Sequence, residues 1–203
     1  MARLGILGGT FNPPHVGHLL CAQEARVRLD LDAVLLMPVA SPPHKPLRDD
    51  PGPERRLEMC RLAAAEEDWL EASDLEISRG GPSYTVDTLE ALHDSHPEDE
   101  LTWIAGGDMA LSLPTWRDPG RVLSLARFAV AERGEARRAD IERALAGLEG
   151  RHSVVFFEMP RIDVSSSTVR SRVAAGLPVR WMVPDAVGAY VREHGLYGSA
   201  VAA

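Results

Sequence analysis

Cysteine is scarce in this chain, with only Cys21 and Cys60 among 203 residues. Both sit in amphipathic, helix-like stretches without metal-type spacing, so they read as buried free thiols rather than a disulfide. Positive charge is in deficit as well: 22 Lys and Arg against 30 Asp and Glu leave a formal net charge of −8. That balance argues against a broad nucleic-acid footprint, and any phosphate site must be a local basic focus on an acidic body. Long apolar runs are missing too. No stretch approaches the roughly 20 residues of a membrane span, and the first residues lack a signal-peptide pattern, so the expected compartment is the cytoplasm. No internal repeat or linker is evident.

What remains is an ordinary globular composition, 45% hydrophobic and 26% charged. The length suits one domain that buries roughly 70% of its unfolded surface. Apolar, partly β-branched runs at residues 4–7, 33–39, 101–105, 128–131 and 153–157 read as strands, with 69–77 a weaker candidate. Helix-like stretches cover 16–29, 53–67, 85–94, 140–148, 168–175 and 185–194. This alternation predicts an α/β fold: a single Rossmann-like, doubly wound domain with a mainly parallel sheet and helices on both faces. The domain is expected to span residues 1–199, with 200–203 as a frayed tail.

The segment Gly8-Gly9-Thr10-Phe11-Asn12-Pro13-Pro14-His15-Val16-Gly17-His18 carries the chemistry. It joins the first expected strand to the first expected helix, where free backbone N–H groups and the positive dipole end receive anions. Glycines let a phosphate approach the backbone, and Pro13-Pro14 stiffens the turn without needing donors. His15 and His18, three residues apart, can share one face at the helix start. An ordinary turn with surface histidines is the bland alternative, and the position of His-x-x-His at the first strand-to-helix turn disfavours it. A zinc site lacks a nearby third ligand.

Four further segments fall at expected strand ends or helix starts. Residues 37–45 leave the second strand through a proline-stiffened turn that puts Lys45 on the same side of the sheet as the first turn. A solvated lysine and a phosphate contact are both open there. Ser83, Tyr84 and Thr85 resemble a helix entrance, where capping competes with reception of a ligand carboxylate or amide. Gly106, Gly107 and Asp108 end a strand; the acid either caps the short helix that follows or accepts hydrogen bonds from a ribose. Trp116 lies eight residues on and suits packing, or stacking on a heterocycle. Finally, Ser165, Ser166 and Ser167 precede an apolar helix that carries Arg170. Three serines exceed what one cap needs, and the arginine adds a forked phosphate donor, which makes a second anion-binding helix start.

With these blocks in order, the chain is similar to the bacterial nicotinate-nucleotide adenylyltransferases of the nucleotidyltransferase superfamily. The resemblance runs from Leu4 to Tyr197, including Gly176-Leu177-Pro178, Val183-Pro184, Tyr190-Val191 and His194-Gly195-Leu196-Tyr197. Residues 118–152 carry no signature, and Ser167 stands where threonine is commoner in the family. The resemblance implies that Gly8, Gly9, Thr10 and Phe11, with His15, His18 and Arg170, hold the phosphates of ATP. Ser166 and Ser167 would complete that site, Asp108 would contact the ATP ribose, and Gly106 would also bind ATP. Lys45 would meet phosphate on the mononucleotide or the triphosphate, while Tyr84, Thr85 and Trp116 would hold the nicotinate group. His15, His18, Lys45 and Arg170 would be the catalytic donors, with no covalent nucleophile. Magnesium is implied as a passenger on ATP oxygens, since no acidic cluster suggests a protein-built cage. ATP and nicotinate mononucleotide are the implied partners, with no nucleic acid and no membrane; a homo-oligomer stays open.

Two enzymatic rivals in the superfamily would adenylylate phosphopantetheine or transfer CMP to an alcohol phosphate. The Trp116 block and the C-terminal Leu196-Tyr197 pattern speak against both. A nucleotide-binding regulator without turnover is the rival from another class, and retention of both histidines, Lys45 and Arg170 speaks against it.

Overall fold

Residues 1–42, 47–132 and 138–198 are described in the computed structural model. Among them six strands form: β1 (Arg3–Gly9), β2 (Ala33–Pro38), β3 (Leu70–Ala72), β4 (Glu100–Gly106), β5 (Arg127–Glu132) and β6 (Val154–Glu158). Their order in the sheet is β3-β2-β1-β4-β5-β6, and every pairing is parallel. The chain therefore winds outward from β1 in one direction, returns, and winds outward from β4 in the other. The reversal leaves a crevice between the carboxyl ends of β1 and β4, where doubly wound sheets receive ligands.

Side chains alternate across the sheet because successive residues of a strand point to opposite faces. Ile6, Trp103 and Phe128 join one core with the helices α4 (Thr85–Ser95), α5 (Gly107–Ser112), α6 (Pro119–Leu125) and α7 (Arg138–Leu145). Leu7, Ile104 and Ala129 join a second core with α1 (Val16–Leu29) and α2 (Pro53–Ala64). A third cluster packs α2 against α8 (Ser166–Ala174), α9 (Asp185–Glu193) and Leu196. Helices thus cover both faces, and the expected architecture is present. Cys21 and Cys60 are both buried thiols, and burial pushes that of Cys60 well above its usual range.

The differences from expectation have local causes. The stretch 69–77 is not one strand but two elements, β3 and a short helix α3 (Leu75–Arg79). Asp74, in the bridge region at φ −94°, turns the chain between them. Helix α6 falls in the segment that carried no signature. Asp118 caps it by accepting from the Arg121 N–H at 3.1 Å, and Pro119 follows at the first helical position. Asp108 does not cap α5: Gly106 is the capping residue, and Asp108 lies exposed within the first turn. Nor does Ser83 cap α4, whose capping position is Tyr84; the Ser83 hydroxyl instead accepts from the Ala40 N–H at 2.9 Å. The expected tail, residues 200–203, lies outside the described residues.

Candidate active site

The end of β1 is packed as tightly as a core. A Cβ on Gly8 would come within 2.5 Å of the Trp103 ring, and one on Gly9 within 3.0 Å of Phe11. Glycine at position 8 is therefore required by the protein's own packing, whatever approaches from solvent. The chain next turns through Phe11, buried and left-handed at φ 49°. A bulky residue adopts that conformation only where its surroundings hold it there.

Those surroundings converge from distant parts of the sequence. Arg170 of α8 donates to the Asn12 carbonyl at 2.9 Å, and the Ser166 hydroxyl donates to the Pro13 carbonyl at 2.8 Å. The Asn12 side chain is buried; it accepts from the Tyr197 hydroxyl at 2.7 Å and donates to the Arg48 carbonyl at 3.1 Å. Burial raises the pKa of the Tyr197 phenol, so it stays a protonated donor through the neutral range. The Val16 N–H donates to the Met182 carbonyl at 2.9 Å, which closes the turn from the far side. The N-termini of α1 and α8 therefore meet, and the serine-arginine block touches the glycine-histidine turn directly.

Within that turn the two histidines are unequal. His15 is only 5% exposed, whereas His18 is half-buried; their rings lie at a 30° tilt with centroids 3.7 Å apart. The His15 backbone N–H donates to Nδ1 of His18 at 3.2 Å. An Nδ1 that accepts places the proton of a neutral imidazole on Nε2, so His18 offers an N–H donor on its other side. Phe11 meets the His18 ring edge-on at 4.9 Å and restrains its orientation. The sequence reading put both rings toward the anion on equal terms; His18 is the more accessible of the two.

The second group of candidate residues lies where α4 begins. Tyr84 and Thr85 are half-buried there, and no side chain caps the helix. The Trp116 indole donates to the Ser112 hydroxyl at 3.0 Å and meets Phe128 edge-on at 5.9 Å, so part of its ring is core. Arg117 binds the two segments together. Its guanidinium lies 4.9 Å from the Tyr84 ring centroid and 3.3 Å from a carboxylate oxygen of Asp87. Beneath the helix entrance, Glu76 is buried and accepts from the Thr88 hydroxyl at 2.7 Å. Burial raises its carboxyl pKa, and hydrogen bonds from Ser83 and Thr88 hold the rise back.

Ser167 is exposed, and its hydroxyl lies 2.9 Å from that of Ser165, which caps α8 by accepting from the Thr168 N–H at 3.1 Å. Gly106 and Asp108 stand at the end of β4, across the crevice from β1. Lys45 lies outside the described residues. Among the described residues no three His, Cys, Asp or Glu side chains converge to hold a metal ion. The groups that face the turn are N–H and O–H donors, the set that receives anion oxygens and not a cation.

The sequence singles out neither Arg56 nor Arg117, and it shows Asn12 only as part of the turn, without a role of its own. Arg56 is 0% exposed and donates to the carbonyls of Thr10, Val39 and Ala40. An arginine on an amphipathic helix ordinarily reads as a solvated face, and nothing local marks this one as buried. Asn12 accepts from Tyr197, 185 positions away, a contact that no local motif encodes.

Comparison with known proteins agrees with the fold. Residues 6–172 match the family model described as cytidylyltransferase-like. A probable nicotinate-nucleotide adenylyltransferase of Roseiflexus sp. (strain RS-1) is 46% identical, covering 97% of this chain and 98% of the relative. The probable nicotinate-nucleotide adenylyltransferase of Desulfitobacterium hafniense (strain Y51) is 40% identical, covering 96% and 95%. Among solved structures, the Plasmodium falciparum nicotinic acid mononucleotide adenylyltransferase complexed with APC superposes with a TM-score of 0.79. It covers 100% of both chains at 16% identity, a likeness of fold.

Proposed function

The chain belongs to the cytidylyltransferase-like family and, within it, to the nicotinate-nucleotide adenylyltransferases, and from that premise we propose that it transfers AMP from ATP to nicotinate mononucleotide. The products are deamido-NAD and pyrophosphate. One observation carries the reading: Ser166 and Arg170 bond the carbonyls of Pro13 and Asn12, so two helix starts meet at the turn that leaves β1, the strand beside β4 where the winding reverses. That arrangement suits a triphosphate.

In this mechanism a phosphate oxygen of the mononucleotide attacks the α-phosphorus of ATP in line. The new P–O bond forms as the bond to the β-phosphate oxygen breaks, and the β and γ phosphates leave together. A phosphate nucleophile is already ionised at neutral pH, so no general base is required. Catalysis rests on positioning and on stabilising charge as it spreads over the transferring group. The turn at Gly8–Phe11, His15, His18, Ser166, Ser167 and Arg170 receive the triphosphate, with Lys45 reaching phosphate on either substrate. Asp108 serves the ATP ribose, and Gly106 belongs to the same ATP site. The donor-rich turn supplies no metal ligands, so magnesium would come with ATP, and it would neutralise phosphate charge there.

Tyr84, Thr85 and Trp116 hold the nicotinate group. The first N–H groups of α4 have no acceptor within the helix, and a ring carboxylate supplies one. An amide presents a donor on one of its faces, and a mismatched pair costs about 1–3 kcal/mol. Acceptors offered in parallel in a pyrophosphate-release assay test the reading: nicotinate and nicotinamide mononucleotides, phosphopantetheine and a simple alcohol phosphate. The acid mononucleotide should exceed its amide in kcat/KM by at least about tenfold, with the other two inactive. Equal efficiency for acid and amide would mean that the ring pocket is misassigned.

Trp116→Ala should weaken the acceptor more than ATP. Loss of a stacking face costs about 1–3 kcal/mol, by analogy with nucleobase platforms, and falls mainly on the mononucleotide's KM. If ATP affinity drops while acceptor affinity holds, Trp116 serves the adenine side or the core alone.

A further inference from the structure

We propose that Arg56 is a positioning residue for the adenylyl transfer, setting the distance between the ATP cradle and the acceptor pocket. The proposal rests on the adenylyl-transfer reading and deepens it. Strands β1 and β2 stay in register as far as Gly9 and Pro38, and the Val39 N–H still donates to the Gly9 carbonyl at 3.0 Å. Beyond that point the two chains separate, one toward the histidine turn and one toward the acceptor side. Arg56 spans the split. Its Nη1 donates to the Thr10 carbonyl at 3.1 Å and to the Val39 carbonyl at 2.6 Å, and its Nη2 donates to the Ala40 carbonyl at 3.2 Å. Asp50 receives Nε at 2.9 Å, and the whole side chain is out of solvent.

The link continues to the other substrate. The Ala40 N–H donates to the Ser83 hydroxyl at 2.9 Å, and the Ser83 N–H donates to the Ser41 carbonyl at 2.9 Å. Ser83 lies two residues before the first turn of α4. One continuous chain of bonds thus runs from Thr10, in the phosphate cradle, through Arg56 to the helix entrance assigned to the nicotinate group. A guanidinium is expensive to bury, and a well-packed apolar side chain would stabilise the fold at least as well. What an apolar side chain cannot do is gather carbonyls from two diverging segments in one plane, which is the property of a rigid fork. In-line transfer needs such registration, because the attacking oxygen and the α-phosphorus are held by different segments.

The test compares Arg56→Lys and Arg56→Met in the full chain. Lysine keeps the charge as a single point donor and loses the fork; methionine keeps most of the volume and loses both. Each variant is assayed well below its own melting temperature, and binding of ATP, of nicotinate mononucleotide and of deamido-NAD is measured separately. Misplacement by about 1 Å costs on the order of 10²-fold, so kcat should fall by that factor in Arg56→Lys. Each substrate alone should bind within a few-fold of wild type. Deamido-NAD, which spans both pockets, should bind distinctly more weakly. If methionine prevents folding, the lysine variant decides. Wild-type kcat in Arg56→Lys overturns the proposal. So does a loss that only tracks the unfolded fraction, or one confined to the affinity of a single substrate. A wild-type protein that makes no deamido-NAD overturns the parent reading itself, and this proposal with it.

Discussion

His18→Ala should reduce kcat by about 10²-fold or more while leaving KM for both substrates within a small factor. The expectation comes from the state of the ring. With Nδ1 occupied by the His15 N–H at 3.2 Å, the neutral imidazole carries its proton on Nε2. Phe11 and His15 hold the ring from two sides, so this donor is oriented before substrate arrives. A preorganised donor of that kind contributes most where charge accumulates during transfer, and so acts on kcat. Removal of the ring also takes the acceptor from the His15 N–H. That cost falls on stability, and a melting curve separates it from turnover. A folded variant with activity within a factor of a few of wild type would remove His18 from the mechanism.

Arg170→Ala should be as damaging, with a different signature. Its guanidinium donates to the Asn12 carbonyl through Nη1, and Nε lies 3.6 Å from a carboxylate oxygen of Asp49. Truncation would remove the phosphate donor proposed above, worth about 1.5–3 kcal/mol, and leave a part-buried carbonyl without its donor at a further cost of about 1–3 kcal/mol. Together these predict a loss in kcat/KM of about 10²-fold or more, divided between a higher KM for ATP and a lower kcat. Arg170→Lys should recover part of the KM, because charge returns, and little of the kcat, because the fork does not. If ATP affinity survives Arg170→Ala, the second helix start is a structural clamp and the triphosphate lies elsewhere.

How far the sequence disclosed this site depends on the range of the contacts that build it. The glycine-histidine turn was legible because its parts are contiguous: a strand, a pair of glycines and a helix start within the residues 3–18. The alternation of apolar runs likewise exposed five strands and the sheet's parallel sense. Helix α6 was also written locally, in Asp118 followed by Pro119, but it lay where no functional motif drew attention. The 69–77 run misled because its apolar residues belong to two elements, and α3 has five residues, too few to show a helical period. Arg56 and Asn12 were out of reach in principle. Both are polar residues whose burial depends on partners brought in by the fold, and the Asn12 partner Tyr197 arrives from the C-terminal end of the domain. Trp116 illustrates the mixed case: its indole is tied to Ser112 and packed on Phe128, as the packing alternative required, while the ring stays half-buried beside the Arg117 bridge.

Following the two ends of ATP separately through one reaction tests the account most directly. ATP labelled at the α-phosphorus, and in a parallel reaction at the γ-phosphorus, is incubated with nicotinate mononucleotide, magnesium and the wild-type protein. The account predicts that the α label appears wholly in deamido-NAD and the γ label wholly in pyrophosphate, in equal amounts, with no labelled protein at any time. Release of γ-labelled orthophosphate, or retention of the α label on the enzyme, would contradict direct in-line adenylyl transfer.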